Sequence, residues 1–295
     1  MTDPATLTDA FEAHRTHLRS VAYRMLGSLS EADDAVQETW IRVSRAGTAD
    51  VENLGGWLTT VTARVCLNVL RSRRTHPEES FELHGPEPIV DPADGTDPEH
   101  EALLADSVGL ALLVVLETLT PAERLAFVLH DMFGVPFDEI ARVVDRSPDA
   151  ARQLASRARR RVRAGNAVPD ADLDAQREVV EAFVAASREG DFRRLVEVLD
   201  PDVVLRADFG PDAPTPFREI RGAEAVASQA EMYSRIGLEM HPVLVNGAPG
   251  FVSMRDGERF SVGGFTIRAG RIVAMDILAD PDRLSRLDLT ALEAR

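Results

Sequence analysis

The sequence predicts a multidomain chain: two all-α domains, the second built on a helix-turn-helix, followed by an α+β domain with a curved antiparallel sheet. Three observations carry that prediction. Apolar residues recur at three-to-four spacing through the first half, an acidic Pro-rich stretch interrupts that half, and the pattern turns to strand-like runs after about residue 199. At 295 residues the chain is also longer than one compact core usually holds.

The elements follow in order. Within residues 5–75, Leu18, Val21, Ala22, Met25 and Leu26 fall at helical spacing, and Ala32, Val36, Trp40 and Val43 repeat it. From 76 to 100, Pro77, Pro86, Pro88, Pro92 and Pro98 alternate with acids, so this stretch reads as a linker that sustains no helix and packs no core of its own. Helices resume over 101–165. Gly, Pro and Asp then punctuate 165–172, and the last domain spans 170–295. There, helices are expected over 173–188 and 192–199, and strands over 203–207, 239–246, 251–255, 259–268 and 271–278. Asp256-Gly257 and Ala269-Gly270 make the short hairpin turns, where Gly accepts positive φ.

Composition narrows the class. The single cysteine, Cys66, closes no intramolecular disulfide, and the amino terminus has no basic region followed by an apolar one, so a secreted, disulfide-framed protein is disfavoured. The longest apolar run, 108–116, is about half the roughly 20 residues of a membrane span. A cytoplasmic protein with no membrane partner is expected. The net charge of −16 argues against a simple polyanion binder, but the charge is unevenly placed. Every one of the 33 basic residues is Arg; residues 152–163 hold six Arg and no acid, and 53–77 hold four Arg and no acid. Residues 76–123, by contrast, hold 12 acids and no Arg. Affinity for nucleic acid follows the local patch more than the total.

The strongest local motif is 135–163. One helix, about 137–144, ends in a tight turn at Asp145-Arg146. Ser147 then stands as N-cap with Pro148 at the first helical position, the favoured arrangement. Ile140, Ala141, Val144, Ala151 and Leu154 supply the packing of a helix-turn-helix, with Asp145 where Gly is common. Packing of Ala151, Leu154, Ala155 and Ala158 leaves Arg152, Gln153, Ser156, Arg159 and Arg160 outward, with Arg163 beyond them, to read base edges or clamp phosphates. An Arg-rich helix end is also favoured by the macrodipole alone, but the turn, the caps and the missing acids favour DNA.

A second motif is 30–43. Ser30 with Asp33 reads as a capping-box variant, and Glu31 and Asp33 suit a first helical turn. Asp34 and Glu38 are like charges four residues apart, a cost of a few tenths of a kcal/mol that suggests an acidic face presented to a basic partner. A third is 55–74, preceded by Asn53: Leu58, Val61, Val65 and Leu70 face a core while Arg64, Asn68, Arg71 and Arg74 face outward. A polar aromatic loop before a basic helix suits single-stranded nucleic acid, although Trp57 alone reads better as core than as a stacking platform.

In this order and spacing the three motifs resemble the extracytoplasmic-function sigma factors, bacterial transcription initiation subunits carrying only the second and fourth conserved sigma regions. The resemblance runs from about Phe11 to Arg163. It implies that 30–43, through Asp33, Asp34, Gln37, Glu38 and Ile41, grips the clamp helices of the RNA polymerase largest subunit. It implies that Asn53, Trp57, Arg64, Asn68, Arg71 and Arg74 melt and read the minus-ten promoter element, and that 137–163 reads the minus-thirty-five element. Residues after 165 resemble the subgroup fused to a SnoaL-like domain, a cone-shaped fold of polyketide cyclases, some hydrolases and non-catalytic ligand binders. Gly85-Pro86-Glu87-Pro88 is similar to that subgroup's Trp-Leu-Pro-Glu-Pro motif, and Asp280-Pro281-Asp282-Arg283-Leu284 to its Asn-Pro-Asp-Lys-Leu motif. Its Asp-Gly-Gly-Gly motif falls near Asp208, where only Asp208 and one Gly match.

The resemblance implies a domain that stands in for a separate anti-sigma protein, with Pro86–Pro88 and Asp280–Leu284 as the docking contact and Asp208 nearby. It leaves room for a small ligand in the cone. Asp208, His241, Asp276 and Tyr233 are the polar residues expected near its mouth, but Asp276 alternates with Met275 and Ile277 and His241 precedes Pro242, so catalysis is the minority reading. No cofactor or metal is expected, since no zinc spacing, phosphate-binding Gly loop or nucleophile elbow appears. Two other readings remain: a ligand-sensing helix-turn-helix regulator that delivers no polymerase, and a SnoaL-like enzyme with a DNA-binding amino terminus.

Overall fold

The computed structural model describes residues 4–46, 51, 53–75, 85–93, 95, 100, 103, 109–164, 170 and 172–289. The chain forms two compact units and passes between them several times: Met1–Pro86, Pro98–Asp106 and Leu116–Arg161 make the first, and Glu87–Asp97, Ser107–Val115 and Val162–Arg295 make the second.

The first unit is helical. Helices Pro4–Glu12, Arg15–Leu26, Leu29–Ala46 and Leu54–Thr75 pack around Phe11, Leu18, Val36, Val43 and Leu58, with Trp40 and Trp57 closing the edge half-buried. Burial of one stripe on each helix is what the three-to-four spacing of apolar residues provides. The cap of Leu29–Ala46 differs from expectation. Ser28, not Ser30, receives the Glu31 backbone N–H at 3.5 Å, and Ser30 hydrogen-bonds to Ser28 instead. Further on, Pro121–Phe127 opens on a full capping box, the Thr120 hydroxyl accepting from Glu123 N–H while the Glu123 carboxylate accepts from Thr120 N–H. A π-helical turn, Val128–Met132, leads to the helix-turn-helix Phe137–Val144 and Pro148–Ala164. Asp145 takes the left-handed conformation of the tight turn at φ 56°, a role Gly fills more easily and Asp tolerates. Ser147 caps the second helix, its Oγ accepting from Ala150 N–H at 3.2 Å.

The second unit is an α+β fold around one seven-stranded sheet, ordered β1 (Val90–Pro92), β4 (Glu239–Val245), β5 (Ala248–Arg255), β6 (Glu258–Arg268), β7 (Arg271–Leu278), β2 (Leu199–Asp208), β3 (Phe217–Arg221). Three features differ from the sequence reading. Strand β3 and helix Ala223–Ser234 fill a stretch with no assigned element, β2 pairs with β7 in parallel within an otherwise antiparallel sheet, and part of the linker is itself a strand. Both faces of the sheet are covered. Phe251, Phe265 and Met275 point toward helices Leu173–Glu189, Phe192–Val198 and Ala223–Ser234, with Val180, Phe183, Leu195, Val226 and Ala227 opposite them. Val252, Val262 and Leu278 point the other way, into a second core with Val90, Leu110, Leu284 and Leu287. Strand alternation sends neighbours such as Phe251 and Val252 to opposite cores. Gly263 lets the Phe251 ring lie against the backbone of β6, where a Cβ would fall 2.3 Å from it.

Candidate functional site

The acidic face of Leu29–Ala46 is only partly open. Asp34 and Gln37 are exposed, whereas Asp33 receives the Arg19 guanidinium at 2.7 Å and Glu38 is bridged by Arg42 at 2.7 Å. Arg42 thus offsets the Asp34/Glu38 repulsion from one turn on. Ile41 is half-buried beside this surface.

The basic face of Leu54–Thr75 carries exposed Asn68, Arg71 and Arg74, while Arg73 turns inward to Glu31. Two expected DNA residues have structural duties. Asn53 caps the helix, its Oδ1 accepting from Gly56 N–H at 3.0 Å, and Trp57 sits half-buried against the bundle core. Arg64 donates to the Arg142 carbonyl on the first helix of the helix-turn-helix at 3.0 Å. The two expected DNA-reading helical regions therefore touch within one unit, joined also by Arg124 donating to the Arg24 carbonyl at 3.3 Å.

On Pro148–Ala164, Gln153, Ser156, Arg160 and Arg163 are exposed. Arg152 pairs with Asp149 at 2.5 Å and stacks 5.6 Å from the Phe137 ring centroid, and Arg159 pairs with Asp131. Two further arginines are anchors: Arg157 and Arg161 both reach Glu123, at 3.3 and 2.9 Å, and fix the recognition helix to the capping box of Pro121–Phe127. Burial works against the Glu123 carboxylate, but hydrogen bonds from Thr120 and the two guanidinium groups hold it below its usual range. This anchor was not read from the sequence; the Thr120-Pro-Ala-Glu123 capping-box spacing was the available signal.

In the second unit, Asp208, Asp280 and Arg283 meet. Arg283 donates to Asp208 at 2.6 Å, Asp280 caps helix Pro281–Arg286 by accepting from Asp282 N–H at 3.0 Å, and the Asp280 carboxylate lies where a Cβ on Gly210 would stand. Pro281 opens this helix, and Leu284 enters the core shared with Val90. Val90, two residues beyond buried Pro88, belongs to the same core as Leu284. Glu87 and Pro88 lie in this unit and Pro86 in the first, beside Gly27. The strand is fixed by register: Ile89 N–H donates to Asn246 Oδ1 at 3.1 Å and Asn246 N–H returns to the Ile89 carbonyl at 2.8 Å.

The polar set expected at the cone's mouth is not assembled. Asp276 is buried on the opposite face of β7 from Met275 and Ile277, paired to Arg206 at 2.9 Å; burial raises its pKa, with Arg206 offsetting part of the rise. His241 stands 3.9 Å from exposed Glu239, and of the four only Tyr233 lines the cavity that lies between the sheet and helix Ala223–Ser234, beside Phe251 and Gln229. Among the described residues no cluster of three or more His, Cys, Asp or Glu side chains suits a metal ion, and no helix is long and apolar enough to cross a membrane.

A family model of sigma-70 region 2 matches residues 10–76, and one of sigma-70 region 4 matches residues 109–162. The chain belongs to the ECF RNA polymerase sigma factors, the promoter-recognition subunits of bacterial RNA polymerase, and carries an α+β domain after region 4. It is 40% identical over 288 residues to ECF RNA polymerase sigma factor SigJ of Mycobacterium tuberculosis H37Rv, across 93% of this chain and 92% of that protein. It is 34% identical over 282 residues to the probable ECF sigma factor SigI of the same strain, across 94% of each. The crystal structure of Mycobacterium tuberculosis SigJ superposes with a TM-score of 0.75 at 36% identity, over 96% of this chain and 99% of that one.

Proposed function

We propose that Asp34, Gln37, Glu38 and Ile41, with Asp33 at the edge, grip the clamp helices of the polymerase largest subunit. In this reading Arg64, Asn68, Arg71 and Arg74 engage the minus-ten strand, with Asn53 and Trp57 shaping the approach. Arg152, Gln153, Ser156 and Arg159 read the minus-thirty-five element, and Arg160 and Arg163 hold phosphates. Two promoter elements some 25 base pairs apart lie roughly 85 Å from each other at about 3.4 Å per step. Arg64 cannot serve one of them while it donates to Arg142 beside the other, so the first unit opens on the promoter.

The SnoaL-like domain controls that opening by contact, in place of a separate anti-sigma protein and without catalysis. One observation carries this. Residues 90–92, between the two sigma regions, are an edge strand of the domain's own sheet. A tether that is also a strand limits how far the two regions can part. The protein acts where promoter DNA and polymerase are, in the cytoplasm.

Run-off transcription with core polymerase tests the reading, comparing the full chain with one ending at Ala279. Removing Asp280 and Leu284 should alter transcription from a cognate promoter and raise protease cleavage within 76–100. Unchanged transcription together with unchanged cleavage would make the linker a plain tether.

A further inference from the structure

The cavity between the sheet and the helices of the second unit has a chemical character that the promoter-recognition reading does not use. It measures about 80 Å³, against roughly 10–15 Å³ for a single water on that measure. Its walls are the rings of Phe183, Phe209, Phe251 and Phe260, with Leu205 and Met275 between them. Such walls suit a flat apolar body.

The polar lining is rich in donors. Gln229 has a buried Nε2 with no hydrogen-bond partner, an arrangement that costs free energy until an acceptor arrives. Ser253 and Ser261 share one hydrogen bond at 2.6 Å, which leaves the second hydroxyl proton free to donate. Tyr233 adds a phenol, and Arg218 brings a guanidinium to the exposed rim. No Asp, Glu or His lines the cavity, although acids outnumber Arg in the chain as a whole. Gln229, the serine hydroxyls, Tyr233 and Arg218 can all donate here and no carboxylate competes with an incoming anion, so the lining favours an anion over a cation. It also lacks a general base.

We propose that this cavity binds a compact aromatic carboxylate, with the ring among the phenylalanines and the carboxylate held by Gln229, the serine pair and Arg218. The site binds without chemistry.

Isothermal titration of the full-length chain with 1-naphthoate tests this, with 1-naphthalenemethanol and 1-naphthylmethylammonium as neutral and cationic analogues. Saturable binding of one naphthoate per chain is expected, with the alcohol about tenfold weaker and the ammonium silent. Arg218→Glu and Gln229→Leu should each weaken naphthoate about tenfold or more, and Ala230→Phe, which fills the cavity, should abolish binding. Circular dichroism confirms that each variant folds; should Ala230→Phe fail there, the two polar variants decide. The proposal is overturned by absence of saturation at millimolar naphthoate, by equal affinity for the ammonium, or by full affinity in the polar variants. The assay involves neither polymerase nor DNA, so such a failure leaves the promoter reading standing.

Discussion

The two units of this chain solve the same packing problem by opposite means. The first buries one stripe on each of several helices, so its contacts follow from residues three and four apart, and most of its charged groups lie at the surface, with Arg24, Arg124 and Glu123 buried among the helices. The second buries both faces of a sheet, and one of those faces is covered by pieces drawn from far away: Val90, Leu110, Leu284 and Leu287 meet there although nearly 200 residues separate the first from the last. The difference teaches where regulation can enter. A helical bundle can lose a neighbour and remain a bundle, whereas a core assembled from distant segments transmits the state of one segment to the rest.

That contrast is broken most directly at Leu284, which is buried to 2% exposure in the shared core. Leu284→Ala should destabilise the second unit by about 2–5 kcal/mol, measured by denaturant unfolding of the full chain. It should also expose 87–97 to protease while leaving the helical unit's own transition in place. If both units lost stability equally, the partition of the contacts would be wrong.

This difference also governs what was legible in the sequence. Helix Phe137–Val144, the turn at Asp145 and the cap at Ser147 were readable because each signal lies within a few residues of its partner. Strand β7 was bounded at Arg271 and Leu278 for the same reason, by its apolar run and the Ala269-Gly270 turn. Strand β3 was not, because Phe217–Arg221 is almost wholly exposed and shows no alternation. Nor was β1, whose Pro and Asp content argues against a strand and whose existence depends on an edge more than 150 residues away, at Val243–Val245. In the candidate site the exposed Arg160 and Arg163 were readable from helical period, but the pairing of Arg159 with Asp131 and of Arg64 with the Arg142 carbonyl was not. Periodicity states which way a side chain points from its helix and is silent on what stands opposite.

A smaller effect sharpens the comparison at Arg283. Its guanidinium and the Asp208 carboxylate are 12% and 19% exposed, so their bond is largely shielded from water. Arg283→Ala should cost about 1–3 kcal/mol in the second unit. Arg15→Ala in the first, where both partners are about half exposed, should cost less. Thermal unfolding of both variants checks the order, and a larger loss from Arg15→Ala would contradict it.

The smallest effect is a matter of sign. Glu123, in the first unit, has a pKa below its usual range despite burial, because Thr120, Arg161 and Arg157 favour its charged form. A depressed carboxylate contributes stability above its unfolded pKa, and that contribution is lost as pH falls through the folded value. Asp276, in the second unit, has its pKa raised by burial, which Arg206 only partly offsets. Its protonated form is the one the fold prefers, so its contribution is present below the unfolded pKa and is lost as pH rises through the raised value. The two units should therefore respond oppositely to these groups across the acidic range. Glu123→Gln should destabilise at neutral pH and approach wild type as pH falls. Asp276→Asn should gain on wild type as pH rises, with Arg206 still 3.7 Å from Glu219 to limit the cost of losing its partner. Unfolding free energies of both variants and wild type over the acidic range give the two difference curves. Slopes of the same sign would mean that the guanidinium beside Asp276 outweighs its burial, and the assignment of that site as a charge held at a cost would be withdrawn.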